Sequence, residues 1–315
     1  MKFSKYQELI RDTFKLIKDK KIEEAYNLIN DNKDVEGGKL AVIYEYRFSL
    51  AFALGKNEEG LQLFKEAVME HNFFYPPRNL LNDPSLKALR ADPSFPELLE
   101  ICQEGNEKHR YSGEPELFIQ EPIKEHIKKP RILIAIHGNY QSLDIVKEKW
   151  NPDSYYNHIV AYPISSELTY SNDHVWNDRQ HGVKELSMHY DALMKKYNLK
   201  TEDVTICSCS TGASILIDCI VNDLIKAKKL IFIRPYIPNF EELKVKFNVL
   251  KEKNIDVYIQ CGDKDVNCLP WANLLSEELD KHGVNYKYNI IEGLKDDYPD
   301  NFDEVLTDIQ LFFNS

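Results

Sequence analysis

Three short stretches, each at the end of an apolar run, hold the residues best suited to chemistry. They are His137-Gly138-Asn139, Ser208-Cys209-Ser210-Thr211-Gly212 and Gly262-Asp263-Lys264-Asp265. The middle one is the most informative. The run Val204–Cys209 enters a tight turn at Ser210-Thr211-Gly212, and Ala213–Ile220 leaves with helical spacing. A serine at the apex of such a strand-to-helix turn is held out as a nucleophile, so Ser210 is the candidate attacking oxygen. Ser208 stands where the usual G-x-S-x-G has its first glycine, and it is small enough for strand and helix to pack closely. A neutral hydroxyl is a poor nucleophile, so Ser210 needs a base within hydrogen-bond reach.

The elements that must position these stretches follow from hydrophobic patterning. Short apolar runs occur at Leu117–Ile119, Ile132–Ile136, Ile159–Tyr162, Val204–Cys209, Leu230–Ile233, Val257–Gln260 and Tyr286–Ile291. Amphipathic stretches between and after them, at Trp176–Tyr197, Ala213–Leu224, Glu241–Lys253, Trp271–His282 and Phe302–Phe313, read as helices. Alternating strand and helix predicts an α/β domain with a mostly parallel sheet, whose ligands bind at the carboxyl ends of the strands. Residues 1–105 instead read as all helix. Glu23-Glu24-Ala25-Tyr26-Asn27-Leu28-Ile29 recurs in kind as Glu58-Glu59-Gly60-Leu61-Gln62-Leu63-Phe64. That offset is near the ~34-residue period of tetratricopeptide helix pairs, which this region resembles. Residues 106–115 are polar and hold Gly113 and Pro115, so they read as a linker to a second domain at 116–315.

Taken together, the three strand-end motifs and their order resemble the α/β-hydrolase superfamily, most closely its carboxylesterase, phospholipase and dienelactone-hydrolase-like members. The resemblance implies an α/β-hydrolase fold and an ester-hydrolysing site. Ser210 would be the nucleophile and Asp265 the triad acid, with Asp263 a weaker alternative. The backbone amides of Asn139 and Thr211 would bind the oxyanion, and His137 would hold its loop. Members of the family carry Gly-x-x-His ahead of an aromatic-Pro pair. Here Gly293-Leu294-Lys295-Asp296-Asp297-Tyr298-Pro299 keeps that pattern with Asp296 in place of the histidine. A carboxylate with an ordinary pKa near 4 is a weak base for a serine hydroxyl. His174, in a loop before a helix, is the other candidate base, whereas His181, one turn into that helix, is expected to face solvent.

Composition bounds the rest. A net charge of −11 disfavours nucleic-acid or anionic-membrane surfaces, and no apolar run is long enough to span a bilayer. The cysteines follow no disulfide or zinc spacing, so buried thiols in a cytoplasmic protein are expected, with no cofactor and no metal. Two functions remain open. One is a serine hydrolase of small or lipid-like esters, with Asp296 or His174 as base and hydrolysis weak or lost. The other is a non-catalytic binding or scaffold protein that holds a protein partner on its helical region. Phe73, Phe74 and Tyr75-Pro76-Pro77 would then be candidate contact points.

Overall fold

The computed structural model describes residues 4–122, 130–139, 143–152, 155, 158–170 and 173–315. They form two compact units, Met1–Ser112 with Leu168–Asp173, and Gly113–Glu167 with His174–Ser315.

The first unit is helical. Its helices are α1 (Lys5–Lys18), α2 (Ile22–Asp31), α3 (Leu40–Ala53), α4 (Asn57–Lys65), α5 (Pro77–Asn82), α6 (Lys87–Arg90) and α7 (Phe95–His109). Helix α1 begins with a capping box, in which Ser4 and Gln7 each accept the other's backbone N–H. Among the positions that recur in sequence, Ala25 and Gly60 are both buried, as are Ile29 and Phe64, whereas Tyr26 is buried and Leu61 only partly so. A Cβ on Gly60 would lie 3.0 Å from the Phe52 ring, so the small residue sets how closely α4 approaches α3.

Helix α7 continues through polar residues that the sequence assigns to a linker. Gly105 lets it lie against Phe74, where a Cβ would come within 2.7 Å, and His109 stacks on the same ring at 5.5 Å. Phe74 and Tyr75 are core residues of this unit, not an exposed contact surface.

The second unit is built on seven strands: β1 (Glu116–Gln120), β2 (Ile132–Ile136), β3 (Ile159–Ile164), β6 (Val204–Ser210), β7 (Lys229–Pro235), β8 (Asp256–Gly262) and β9 (Tyr286–Ile291). The short β4 (Leu168–Tyr170), in the stretch that belongs to the first unit, pairs with β5 (Asp173–His174) in a separate two-stranded sheet. The sheet order is β1-β3-β2-β6-β7-β8-β9, with β1 antiparallel to β3 and the other pairs parallel. All seven apolar runs of the sequence are strands of this sheet. Strands β2 and β3 are buried along their whole length, as a parallel sheet covered on both faces requires.

One face packs against α9 (Arg179–Tyr197), α10 (Gly212–Val221), α11 (Phe240–Lys244), α12 (Asn248–Glu252) and α13 (Leu269–Lys281). The other packs against α8 (Leu143–Lys149) and α14 (Phe302–Asn314). Strand alternation divides β6 between them, with Ile206 in the first core and Cys207 and Cys209 in the second. The single helix expected over 241–253 is two short ones. The break brings the buried rings of Phe240 and Phe247 edge to face at 5.7 Å.

Candidate active site

Ser210 ends β6 with φ +48°, a left-handed conformation that serine rarely adopts. Helix α10 begins two residues later, and Thr211 is its N-cap. Close packing holds the turn. A Cβ on Gly212 would lie 2.8 Å from the His137 carbonyl oxygen and 2.8 Å from Ile136 Cγ2. Ser208 sits buried beneath the turn, its hydroxyl without a partner among the described residues. Ser210 itself is half-buried, and its hydroxyl has no hydrogen-bond partner among the described residues.

The loop after β2 faces this elbow. The Asn139 backbone N–H donates to Thr211 Oγ1 at 3.1 Å, and the Thr211 hydroxyl donates back to Asn139 Oδ1 at 2.7 Å. Asn139 Oδ1 also accepts the Trp176 backbone N–H at 2.8 Å, and Asn139 Nδ2 donates to Asn177 Oδ1 at 2.7 Å. The two expected oxyanion residues are therefore joined directly. The Asn139 amide is occupied by a hydroxyl that an oxyanion would have to replace.

Buried polar groups brace this loop from behind. His137 Nδ1 donates to the Gly138 carbonyl at 2.9 Å, while its Nε2 accepts the Ser165 N–H at 3.2 Å. Burial, with a smaller push from His174, lowers its pKa to about 4, so the ring is neutral. Glu167 Oε2 accepts the backbone N–H groups of Asn177 and Asp178, at 2.8 and 2.7 Å, ahead of α9. Ser166 binds Glu185 and lies 2.8 Å from His181 Nε2, which is itself 3.1 Å from Glu185. His181, its side chain one-third exposed, therefore still reaches solvent as the sequence suggests, while its Nε2 is tied to the buried Ser166 and Glu185.

Asp265 is fully buried in the turn after β8. Its Oδ1 accepts the N–H groups of Asn267 and Cys268, at 3.2 and 3.1 Å, and its Oδ2 accepts Arg234 Nε at 2.7 Å. Arg234 is the penultimate residue of the neighbouring strand β7. It falls at a bulge where Cys209 pairs with Ile233 and Ser210 with Pro235, and its φ is +50°. A guanidinium stands against the carboxylate that would orient a histidine.

The turn after β9 lies beside the Asp265 turn. Leu294 accepts the Lys264 N–H at 3.0 Å, and the Gly293 N–H donates to Asp263 Oδ1 at 2.7 Å. A Cβ on Gly262 would come within 2.1 Å of the Leu294 carbonyl oxygen. Tyr298 anchors the far end of this segment in the core that also holds Cys209. Asp296, between these anchors, is exposed and makes no hydrogen bond or ion pair among the described residues. His174 Nδ1 donates to the Ser165 carbonyl at 2.6 Å. Neither Asp296 nor His174 is hydrogen-bonded to Ser210. Burial raises the thiol pKa values of Cys207, Cys261 and Cys268, which keeps these groups protonated.

Residues 5–110 match the family model of the A/B hydrolase-like N-terminal domain. The sheet order, the serine elbow at the end of β6 and the turns after β8 and β9 complete the pattern. The chain is an α/β-hydrolase-fold protein. It is similar over 98% of its length, at 29% identity and a TM-score of 0.57, to an uncharacterized protein from Bacillus cereus ATCC 10987, 99% of which is covered. More distant solved structures include the esterase PE8, at 14% identity over 62% of this chain and 99% of that one, with a TM-score of 0.49. A Bacillus cereus carboxylesterase is 14% identical over 66% of this chain and 98% of its own, with a TM-score of 0.48. No curated protein matches the chain.

Within this α/β-hydrolase fold, Arg234 is the residue that sequence reading missed. Its one signal is a charged side chain at the carboxyl end of an apolar strand, directly before Pro235.

Proposed function

We propose that the α/β unit is an esterase-type serine hydrolase scaffold without a working general base, so that ester hydrolysis is weak or lost and ligand binding is what the cleft retains. Ser210 is the former nucleophile, and Asn139 and Thr211 line the former oxyanion site. Asp265 is the former acid. The observation that carries this reading is the commitment of Asp265 to Arg234 while the Ser210 hydroxyl has no partner among the described residues. The exposed position of Asp296 adds support. A triad site that has lost a member keeps only about 10³–10⁴-fold acceleration over water. Hydrolysis of p-nitrophenyl butyrate tests the proposal. Wild type and Ser210→Ala should turn over at the same rate, and a rate that depends on Ser210 would overturn it.

One observation favours a second reading. The Ser165 carbonyl fixes the His174 proton on Nδ1 and leaves Nε2 able to accept one. If turnover depends on Ser210 and is lost in His174→Ala, His174 is the base and the protein is an active esterase.

A further inference from the structure

Arg234 holds Asp265 through one nitrogen only, Nε. Its terminal Nη1 and Nη2 have no hydrogen-bond partner among the described residues, and the side chain keeps 12% exposure. A planar guanidinium bound through Nε still presents its outer edge, a pair of parallel N–H donors matched to a carboxylate. The bulge at Cys209/Ser210 places Arg234 on the strand next to the elbow, since Ser210 pairs with Pro235 and its carbonyl accepts the Tyr236 N–H at 3.0 Å. Ser210 and Arg234 both have positive φ, so the carboxyl ends of two adjacent central strands are both strained. Strain of this kind persists where surrounding structure enforces it, and it concentrates at functional sites.

The geometry points to Arg234 as the anion anchor of the Ser210 cleft, taking the free carboxylate of a small ester whose carbonyl lies at the elbow. This inference deepens the reading of the cleft as a ligand site and rests on it. Asp265 stands 2.7 Å from Arg234 Nε and repels a second negative charge on the ligand. A singly charged carboxylate therefore fits better than a phosphate dianion.

Binding of monomethyl succinate is compared with that of methyl levulinate, a neutral ester of similar shape, by ligand-observed NMR titration. The wild type should bind the anion at least about 10-fold more tightly, the usual worth of a charge-assisted hydrogen bond. Arg234→Gln alone would leave Asp265 buried and unpaired, so the decisive variant is Arg234→Gln with Asp265→Asn. It should bind both esters with the affinity of the neutral one. In Ser210→Trp, which fills the elbow, neither ester should bind. Equal affinities in wild type, or a preference that survives in the double variant, would overturn the anchor and leave the cleft reading standing. Binding that survives in Ser210→Trp would place the ester elsewhere and overturn the anchor as well. Failure of both esters to bind wild type would overturn the anchor together with the cleft reading.

Discussion

Arg234 and Asp265 form a buried ion pair, Nε to Oδ2 at 2.7 Å, between the carboxyl ends of β7 and β8. An acid in this place would ordinarily orient and stabilise an imidazolium. Here the opposite charge is permanent, because a guanidinium does not titrate in the working range. The carboxylate's other oxygen is bound to two backbone N–H groups, so the pair closes the acid side of the site.

The pair should be strongly coupled in stability. Asp265→Ala leaves a largely buried guanidinium without its partner, and truncations of this kind cost about 3–5 kcal/mol. Arg234→Gln with Asp265→Asn removes both charges and should cost well below the sum of the single changes. Chemical denaturation of wild type, Arg234→Gln, Asp265→Asn and the double variant measures the cycle, and additive costs would mean that the two side chains do not interact.

His137 should make stability depend on pH. Its folded pKa is lowered to about 4, against 6.5 for an ordinary histidine, chiefly by burial. The unfolded chain therefore takes up a proton, as pH falls below 6.5, that the folded chain refuses. The contribution is fully present above pH 6.5, declines as pH falls, and is gone near pH 4, a loss of about 3 kcal/mol. His137→Gln retains a side-chain acceptor for the Ser165 N–H and should flatten the stability profile between pH 6.5 and 4. An unchanged slope in that variant would assign the acid sensitivity to other groups.

Ser208 should be a site where loss of a hydroxyl is harmless. Its Oγ is buried beneath the elbow with no partner among the described residues. Ser208→Ala keeps the small volume and removes the unsatisfied group, so unfolding should become harder by about 1 kcal/mol or stay unchanged. A clear loss of stability would mean that the hydroxyl has a partner in solution, such as a bound water.

Legibility followed the range of the interactions. The seven strands could be read because a parallel sheet covered on both faces needs unbroken apolar runs, as at Ile132–Ile136. The elbow could be read because its requirements are local: a small residue at 212, an apolar strand before it and helical spacing after it. Contacts between distant segments left weaker traces. Arg234 finds Asp265 31 residues later, and nothing beside Arg234 in the chain marks that partner. His181 is held by Ser166, 15 residues earlier, although its Glu185 partner at i+4 was in view. Helix α7 outran its polar boundary because Gly105 and His109 meet Phe74, three decades of residues back along the chain.

The most direct test of the proposal that the site lacks a working base is fluorophosphonate labelling, with mass mapping at Ser210, of wild type, Asp296→His and Asp296→His with Arg234→Ala. Wild type should not label, because no base activates Ser210. Asp296→His alone should also stay silent, because Arg234 still occupies the acid. The double variant frees Asp265 to orient the new imidazole and should label at Ser210. Labelling of wild type at Ser210 would contradict the claim outright, and silence of the double variant would show that more than the base and its acid has been lost.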